Sequence, residues 1–324
     1  MKNTDRINWG IIGLGNIANQ FASDLLLIEE ANLVAVASRD LIKAKDFAKQ
    51  YNSPKAYESY EALFADDQVD IVYIATPHDS HAELTIKALE NGKHVLCEKP
   101  LALSYKDAVR MTEASKKYNR FFMEAFWTRF MPSVKEVLEK VNQRIIGDVN
   151  YVKADFAFYA DEAAGGRLFD KNLGGGALYD IGVYPLFLSY LMLGIPKEIT
   201  AKSIYSKNGI DLQTSMILHY GKAQAVLHAS ISSESDMKAI IGGTQGHIQL
   251  NAPWFMADGY SIVKNNQEEI VSLPNLGKGY AHEAIECHQC IRNNQIESEL
   301  WSHQNSLELN KIVEEIKNKI GLPF

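Results

Sequence analysis

The sequence is short of cysteine, of long apolar runs and of surplus basic charge, and each shortage closes off a class of protein. Its three cysteines (Cys97, Cys287, Cys290) cannot all pair within the chain, and a protein of 324 residues needs no staples. Reduced thiols in the cytoplasm are the simplest expectation. Cys287-His288-Gln289-Cys290 has the spacing of a redox pair or half a zinc site, but only the isolated His282 stands near it. On a helix, cysteines at i and i+3 are ordinary small apolar residues, so no metal is expected. No stretch approaches the ~18 uninterrupted apolar residues of a membrane span. The densest run, Val183 to Leu193, is too short and contains Pro185. The first residues show no apolar segment with a cleavage site, and no signal peptide is expected. Lys and Arg number 33 against 40 Asp and Glu, a formal net charge of -7. That balance argues against nucleic acid as a partner, since phosphate binding needs a concentrated basic surface.

What is present fits a soluble globular chain, with 46% hydrophobic and 23% charged residues. Its length suits two domains, because single cores stop growing near ~250–300 residues. Short apolar runs at Trp9–Ile12, Leu33–Ala37, Ile71–Ile74, His94–Cys97 and Phe121–Glu124 read as buried parallel strands. Amphipathic stretches at Ile17–Leu27, Ile42–Gln50, Glu83–Asn91 and Tyr105–Tyr118 read as covering helices, with Ser104 as an N-cap and Gly92 as a stop. After about residue 147 the pattern changes. Val149–Tyr159 alternates like a half-solvated strand, and one long apolar helix follows Gly174-Gly175-Gly176. Six further runs, from Ile199–Tyr205 to Tyr260–Lys264, are separated by turns and predict a mainly antiparallel sheet. Helices over His282–Arg292 and His303–Lys319 close the chain. The expected architecture is an α/β doubly wound parallel sheet over 1–125, followed by an α+β domain with a large, mainly antiparallel open sheet over 126–324.

Gly13-Leu14-Gly15-Asn16-Ile17-Ala18 fits the pattern G-x-G-x-x-G/A. The glycines at 13 and 15 allow a tight turn and leave room for a pyrophosphate at the helix N-terminus that Asn16 and Ile17 open. The motif follows a strand, opens a helix and leads to a second strand by residue 33, which is the context of a dinucleotide-binding (Rossmann) unit. An NAD site would place Asp or Glu at the end of that second strand to accept from the ribose 2′-hydroxyl. Here the position holds Ser38-Arg39, a donor and a cation suited to a 2′-phosphate, while Asp40 comes one residue late and suits a helix cap. NADP(H) is expected over NAD(H).

Glu98-Lys99-Pro100 follows the fifth strand, at the carboxyl edge where such sheets bind ligands. A lysine there polarises a carbonyl or hydroxyl, and Glu98 orients it. Asp180 and Tyr184 stand four apart in an apolar helical run, which predicts a shared face and either mutual pairing or a cavity. Pro185 predicts a kink, for which Gly182 leaves room.

Taken in order, these motifs resemble the Gfo/Idh/MocA oxidoreductases: Gly13–Ala18, Ala75-Thr76-Pro77 with His81, Glu98-Lys99-Pro100, Met123-Glu124-Ala125-Phe126, and Gly174-Gly175-Gly176 leading to Asp180. Tyrosine at 184, where many members have histidine, is similar to the dimeric dihydrodiol dehydrogenases, NADP-dependent xylose dehydrogenases and glucose–fructose oxidoreductase. The resemblance implies a two-domain enzyme with Tyr184 as general acid/base, Lys99 as its partner, and Asp180 holding the substrate hydroxyl or the lysine. It also implies cofactor contacts from Thr76, Pro77, His81 and Glu98, a pocket lined by Trp127 and Arg129, and Phe158 as an apolar wall. The substrate so implied is a sugar, polyol or vicinal diol, and the open sheet would join subunits into a homodimer or higher oligomer. A non-catalytic NADP-binding sensor on the same fold stands as the alternative, disfavoured because a sensor needs no proton donor beside the nicotinamide.

Overall fold

A computed structural model describes residues 6–322, which form two compact units. The first runs up to Phe130 and takes in Leu276–Leu307; the second comprises Met131–Asn275 and the chain from Glu308.

In the first unit, strands and helices alternate: β1 (Ile7–Ile12), α1 (Asn16–Leu25), β2 (Ala31–Ala37), α2 (Leu41–Gln50), β3 (Lys55–Tyr57), α3 (Tyr60–Phe64), β4 (Ile71–Ile74), α4 (His81–Glu90), β5 (His94–Glu98), α5 (Tyr105–Tyr118) and β6 (Phe122–Ala125). All six strands pair in parallel, in the order β3-β2-β1-β4-β5-β6. The chain moves outward from β1 to one side through β2 and β3, then returns to the other side of β1 with β4. That reversal opens a crevice at the carboxyl ends of β1 and β4, the general ligand position of such sheets. Each strand of the centre is an apolar run because helices cover both faces; β4 has no residue that is not buried. Ser104 caps α5 by accepting from the Asp107 amide, as its position predicts, and Gly92 follows α4 at a φ of 76°.

In the second unit come α6 (Pro132–Asn142), β7 (Val149–Ala157), a π turn over Leu178–Gly182, α7 (Val183–Leu193), β8 (Glu198–Tyr205), β9 (Asp211–His219), β10 (Gln224–Ser230), β11 (Ala239–Gly243), β12 (Gly246–Leu250), β13 (Gly259–Lys264) and β14 (Gln267–Ser272). They form one sheet in the order β14-β13-β12-β11-β7-β10-β9-β8, antiparallel except where β10 lies parallel to β7. Alternation of exposed and buried residues along β8 and β10 gives the sheet one covered and one open face. The apolar stretch Lys171–Leu193 has the length and composition of a membrane span, yet 78% of its most apolar window is buried within the fold.

The expected two-segment division at residue 125 changes in one respect. The chain returns to the first unit with α8 (Tyr280–Arg292), and α9 (His303–Ile320) begins there. Specific bonds tie this return: the Trp9 indole donates to Nε2 of His288 at 2.9 Å, and the Asp24 carboxylate accepts the amides of Lys278 and Tyr280 at 2.8 and 2.9 Å. Nothing in local periodicity carries such long-range pairing. Cys287 and Cys290 lie buried on α8 as unpaired thiols, and burial pushes the Cys290 thiol up to about 12.

Candidate functional site

The glycine turn is shaped by contact on one side and space on the other. Gly13 has a φ of +79°, and a Cβ there would lie 2.5 Å from the backbone of Ala75 and Thr76, at the end of β4. Only glycine lets β1 and β4 deliver their ends so close together. A Cβ on Gly15 would meet nothing within 4 Å, and no side chain caps the α1 N-terminus behind it. The third small residue, Ala18, is fully buried where α1 packs on the sheet. Open space beside an uncapped helix start fits a pyrophosphate.

At the end of β2, the Ser38 hydroxyl accepts the Asp40 amide at 3.1 Å, and Arg39 is exposed beside the Tyr60 phenol. Burial raises the Tyr60 pKa, and the nearby Arg39 charge opposes that rise. Asp40 is engaged as the N-cap of α2, accepting the amides of Ile42 and Lys43 at 2.9 and 3.2 Å.

The ends of β4 and β5 bring Thr76, Pro77, His81, Glu98 and Lys99 to one edge of the sheet. His81 is fully buried and bridges two turns, with Nε2 3.0 Å from the Thr76 carbonyl and Nδ1 3.1 Å from the Pro100 carbonyl. Burial lowers its pKa and the carbonyls pull the other way; burial wins, so the neutral ring donates to one of them. The Lys99–Pro100 peptide is cis. Glu98 accepts the Tyr73 hydroxyl on one oxygen and the Lys99 amide, at 3.2 Å, on the other. Glu124, at the end of β6, accepts the Leu101 amide at 2.9 Å and the Trp301 indole at 3.2 Å. Burial pushes the Glu124 carboxyl up to about 7, against those hydrogen bonds. Trp127 and Arg129 are buried in this unit: the indole stacks on Tyr280 at 4.4 Å, and Nε of Arg129 donates to the Leu300 carbonyl at 2.9 Å.

The second unit holds Phe158, Asp180 and Tyr184. The segment carrying the last two departs from the expected α register. Val183 donates to the carbonyl of Leu178, five residues back, so Leu178–Gly182 is a π turn leading into α7. Pro185 has no amide to give the Ile181 carbonyl, and the widened turn ends three residues before it, at Gly182. Asp180 and Tyr184 are therefore not an α-helical i, i+4 pair. Asp180 is ion-paired with Arg167, a partner the sequence offered no pattern to find. Tyr184 is 5% exposed, its ring 5.3 Å from Phe156 and 5.5 Å from Phe255. Phe158 lies edge-on to Phe156 at 6.2 Å.

Glu283 on α8 also escaped the sequence reading. It is fully buried, neither carboxyl oxygen has a hydrogen-bond partner among the described residues, and it feels the charges of Glu98 and Asp24. A signal existed: Glu283 is in line with Cys287 and Cys290 at i+4 and i+7, on the stripe that faces inward. Burial, reinforced by Glu98 and Asp24, pushes its carboxyl well above the ordinary range.

Residues 7–126 match the model of an oxidoreductase family with an NAD-binding Rossmann fold, and residues 134–249 match the GFO/IDH/MocA C-terminal domain. The chain is 37% identical to trans-1,2-dihydrobenzene-1,2-diol dehydrogenase of Xenopus tropicalis and 32% identical to that of Homo sapiens, covering 98% of both partners each time. A 3-ketoreductase from Actinomadura kijaniata, solved in complex with NADP and TDP-benzene, is similar at 25% identity with a TM-score of 0.88, over 97% of this chain and 98% of the other. An aldose-aldose oxidoreductase from Caulobacter crescentus shares the fold, with a TM-score of 0.88 at 24% identity over 97% of each chain.

The raised pKa of Glu283 has a measurable consequence. Its folded pKa lies above the unfolded value near ~4.3, so the folded state binds the extra proton and stability falls as pH rises through that window. Glu283→Gln removes this slope. The melting temperature of Glu283→Gln relative to wild type should become more favourable as pH rises above ~4.3. A gap that stays constant with pH would show an ordinary, ionised carboxylate.

Proposed function

The chain belongs to the Gfo/Idh/MocA family of oxidoreductases, and we propose that it is an NADP-dependent dehydrogenase acting on the CH–OH group of a sugar, polyol or vicinal diol. The observation that carries this reading is the similarity to diol dehydrogenases over 98% of both chains, with Lys99 and Tyr184 present on their motifs. The diol end of the substrate class follows the names of those relatives, and its sugar and polyol end follows the family resemblance.

The dinucleotide fits the first unit, given the open space at Gly15 and the uncapped start of α1. Gly13, Gly15, Asn16 and Ile17 would hold its pyrophosphate, Ser38 and Arg39 its 2′-phosphate, and Thr76, Pro77, His81 and Glu98 the edge toward Lys99. When bound, the nicotinamide supplies the hydride acceptor or donor. Preference for NADP is supported by Asp40, whose carboxylate is occupied with the α2 amides and leaves Arg39 as the charge presented at the end of β2.

Tyr184 gives a proton to the substrate oxygen during reduction and takes it during oxidation, because hydride transfer leaves charge on that oxygen. A phenol has an ordinary pKa near ~10 and needs a cation to act at neutral pH, the part that the family resemblance gives to Lys99. Asp180, held by Arg167, orients a substrate hydroxyl. Trp127 and Phe158 give the apolar surface that a sugar face or a ring requires. Three buried, unpaired thiols support a reducing compartment, the cytoplasm. The open face of the second sheet presents Tyr151, Ile217 and Val226 at 39%, 39% and 41% exposure, with Val226 opposite Ile217. Apolar surface of this kind supports a homo-oligomer, with a homodimer as the simplest form.

Three measurements test this reading. NADP⁺ assays over pentoses, hexoses, inositols and diols should find a turned-over member, and Tyr184→Phe and Lys99→Met should each lower its kcat by more than ~100-fold while still binding NADPH. Near-normal turnover in Tyr184→Phe would remove tyrosine from the mechanism. Arg39→Ala should weaken NADPH by about 10–100-fold and leave NADH unchanged, the scale of one charge-assisted contact; wild type binding NADH as tightly as NADPH would sink the cofactor assignment. Sedimentation at micromolar concentration should give a mass at least twice 36.3 kDa, and a monomer would remove the interface.

A further inference from the structure

We propose that Asp211 is a positioning residue for the proton-transfer step: it fixes, from β9, the start of the helical segment that carries Asp180 and Tyr184. The inference rests on the reading of Tyr184 given above.

Asp211 is the first residue of β9 and is fully buried. Its Oδ2 accepts the Leu178 amide at 2.7 Å and the Thr214 hydroxyl at 3.1 Å. The Thr214 oxygen lies in turn 2.7 Å from the Ser203 hydroxyl on β8, so the carboxylate ends a hydrogen-bond chain crossing two strands. Leu178 opens the π turn, and no side chain of the preceding residues caps that turn. The exposed amides at a helix start ordinarily take a Ser, Thr, Asp or Asn next to them in sequence. Here a carboxylate from a strand 33 residues later performs the cap.

The triple glycine makes this possible. A Cβ on Gly176 would lie 2.0 Å from Oδ1 of Asp211, and Gly176 has a φ of +112°. A Cβ on Gly175 would lie 2.5 Å from the Arg167 carbonyl. The backbone thus passes between the Arg167 loop and the buried carboxylate with no space for a side chain on either residue. From Leu178 the π turn runs without interruption into α7, so an anchor at Leu178 fixes the register of Asp180 two residues on and of Tyr184 six residues on. Oδ1 has no hydrogen-bond partner among the described residues. Burial pushes the Asp211 pKa up to about 6, so it is still mostly ionised at neutral pH and matches the positive end of the helical segment.

The test uses the full chain with NADP⁺ and trans-1,2-dihydrobenzene-1,2-diol, or the panel member the wild type turns over if it leaves that diol untouched. Asp211→Ala is expected to lower kcat about tenfold or more with the NADPH Kd within twofold of wild type, because the cofactor residues belong to the other unit. Asp211→Asn retains an acceptor oxygen for Leu178 and should recover most of the loss. Amide hydrogen exchange over residues 178–184 should rise in Asp211→Ala and return in Asp211→Asn. In a Tyr184→Phe background, adding Asp211→Ala should cost less than about threefold, since the two act through one group. If Asp211→Ala does not fold, Thr214→Val removes one donor from the same oxygen and should give a smaller kcat loss at unchanged Kd. Normal kcat in the variant that folds, or an Asp211→Ala loss that multiplies undiminished onto that of Tyr184→Phe, overturns the inference. Near-normal kcat in Tyr184→Phe alone instead overturns the reading beneath it.

Discussion

The carboxyl edge of the parallel sheet depends on how the chain turns from Lys99 to Leu101, and two buried carboxyls govern that turn. Glu98 holds the Lys99 amide and Glu124 holds the Leu101 amide, one on each side of Pro100, whose own nitrogen has nothing to donate. His81 reaches the Pro100 carbonyl from α4 and the Thr76 carbonyl beside it. Loops ordinarily lie at the surface because their amides need water. This one is enclosed, so side chains from β5, β6 and α4 replace the water. The positions of Thr76, Pro77 and Lys99 follow from that substitution, and so does the narrow gap beside Gly13.

The parallel half of the fold was legible in the sequence because its signal is local. Ile71–Ile74 and Tyr105–Tyr118 have the bounds their periodicity predicts. β3 and β14 were missed for opposite reasons. β3 is three residues long and only half-buried, too short for any period to register. β14 is an exposed edge, Gln-Glu-Glu followed by an outward Ile270; charge of that kind protects an edge from pairing and also erases the alternation that marks a strand. The return of α8 to the first unit was illegible for a third reason. It rests on Asp24 meeting the amides of Lys278 and Tyr280, groups that every residue but proline possesses.

The site divides in the same way. Gly13 and Asp40 could be read because each acts on its own neighbourhood: a tight turn in one case, two helix amides in the other. Arg167 and Asp211 could not, since each acts on a residue distant in sequence, while Glu283 left only its place on the inward stripe of α8. The triple glycine was legible as the prelude to a long apolar helix, while its cause was not. The glycines are needed because a carboxylate from β9 occupies the space that side chains at 175 and 176 would crowd, together with the Arg167 loop.

These distant acids also set how the molecule bears the cost of its interior. Glu124, Asp211 and Glu283 all hold their protons more tightly folded than unfolded, through burial in each case. Their contribution to stability therefore declines as pH rises from the ordinary carboxylate range toward their folded values. Half-buried His94 and buried His288 work in the opposite sense. Burial brings both down to about 4, so the unfolded chain binds protons the folded one refuses, and stability grows with pH up to the ordinary histidine range near ~6.5. Between about pH 4 and 6.5 the two groups offset each other. Above that window the histidines add nothing further. Glu124 at the turn near Lys99 and Asp211 at the anchor of Leu178 thus hold their backbone amides at a stability cost that grows as pH rises toward their folded values.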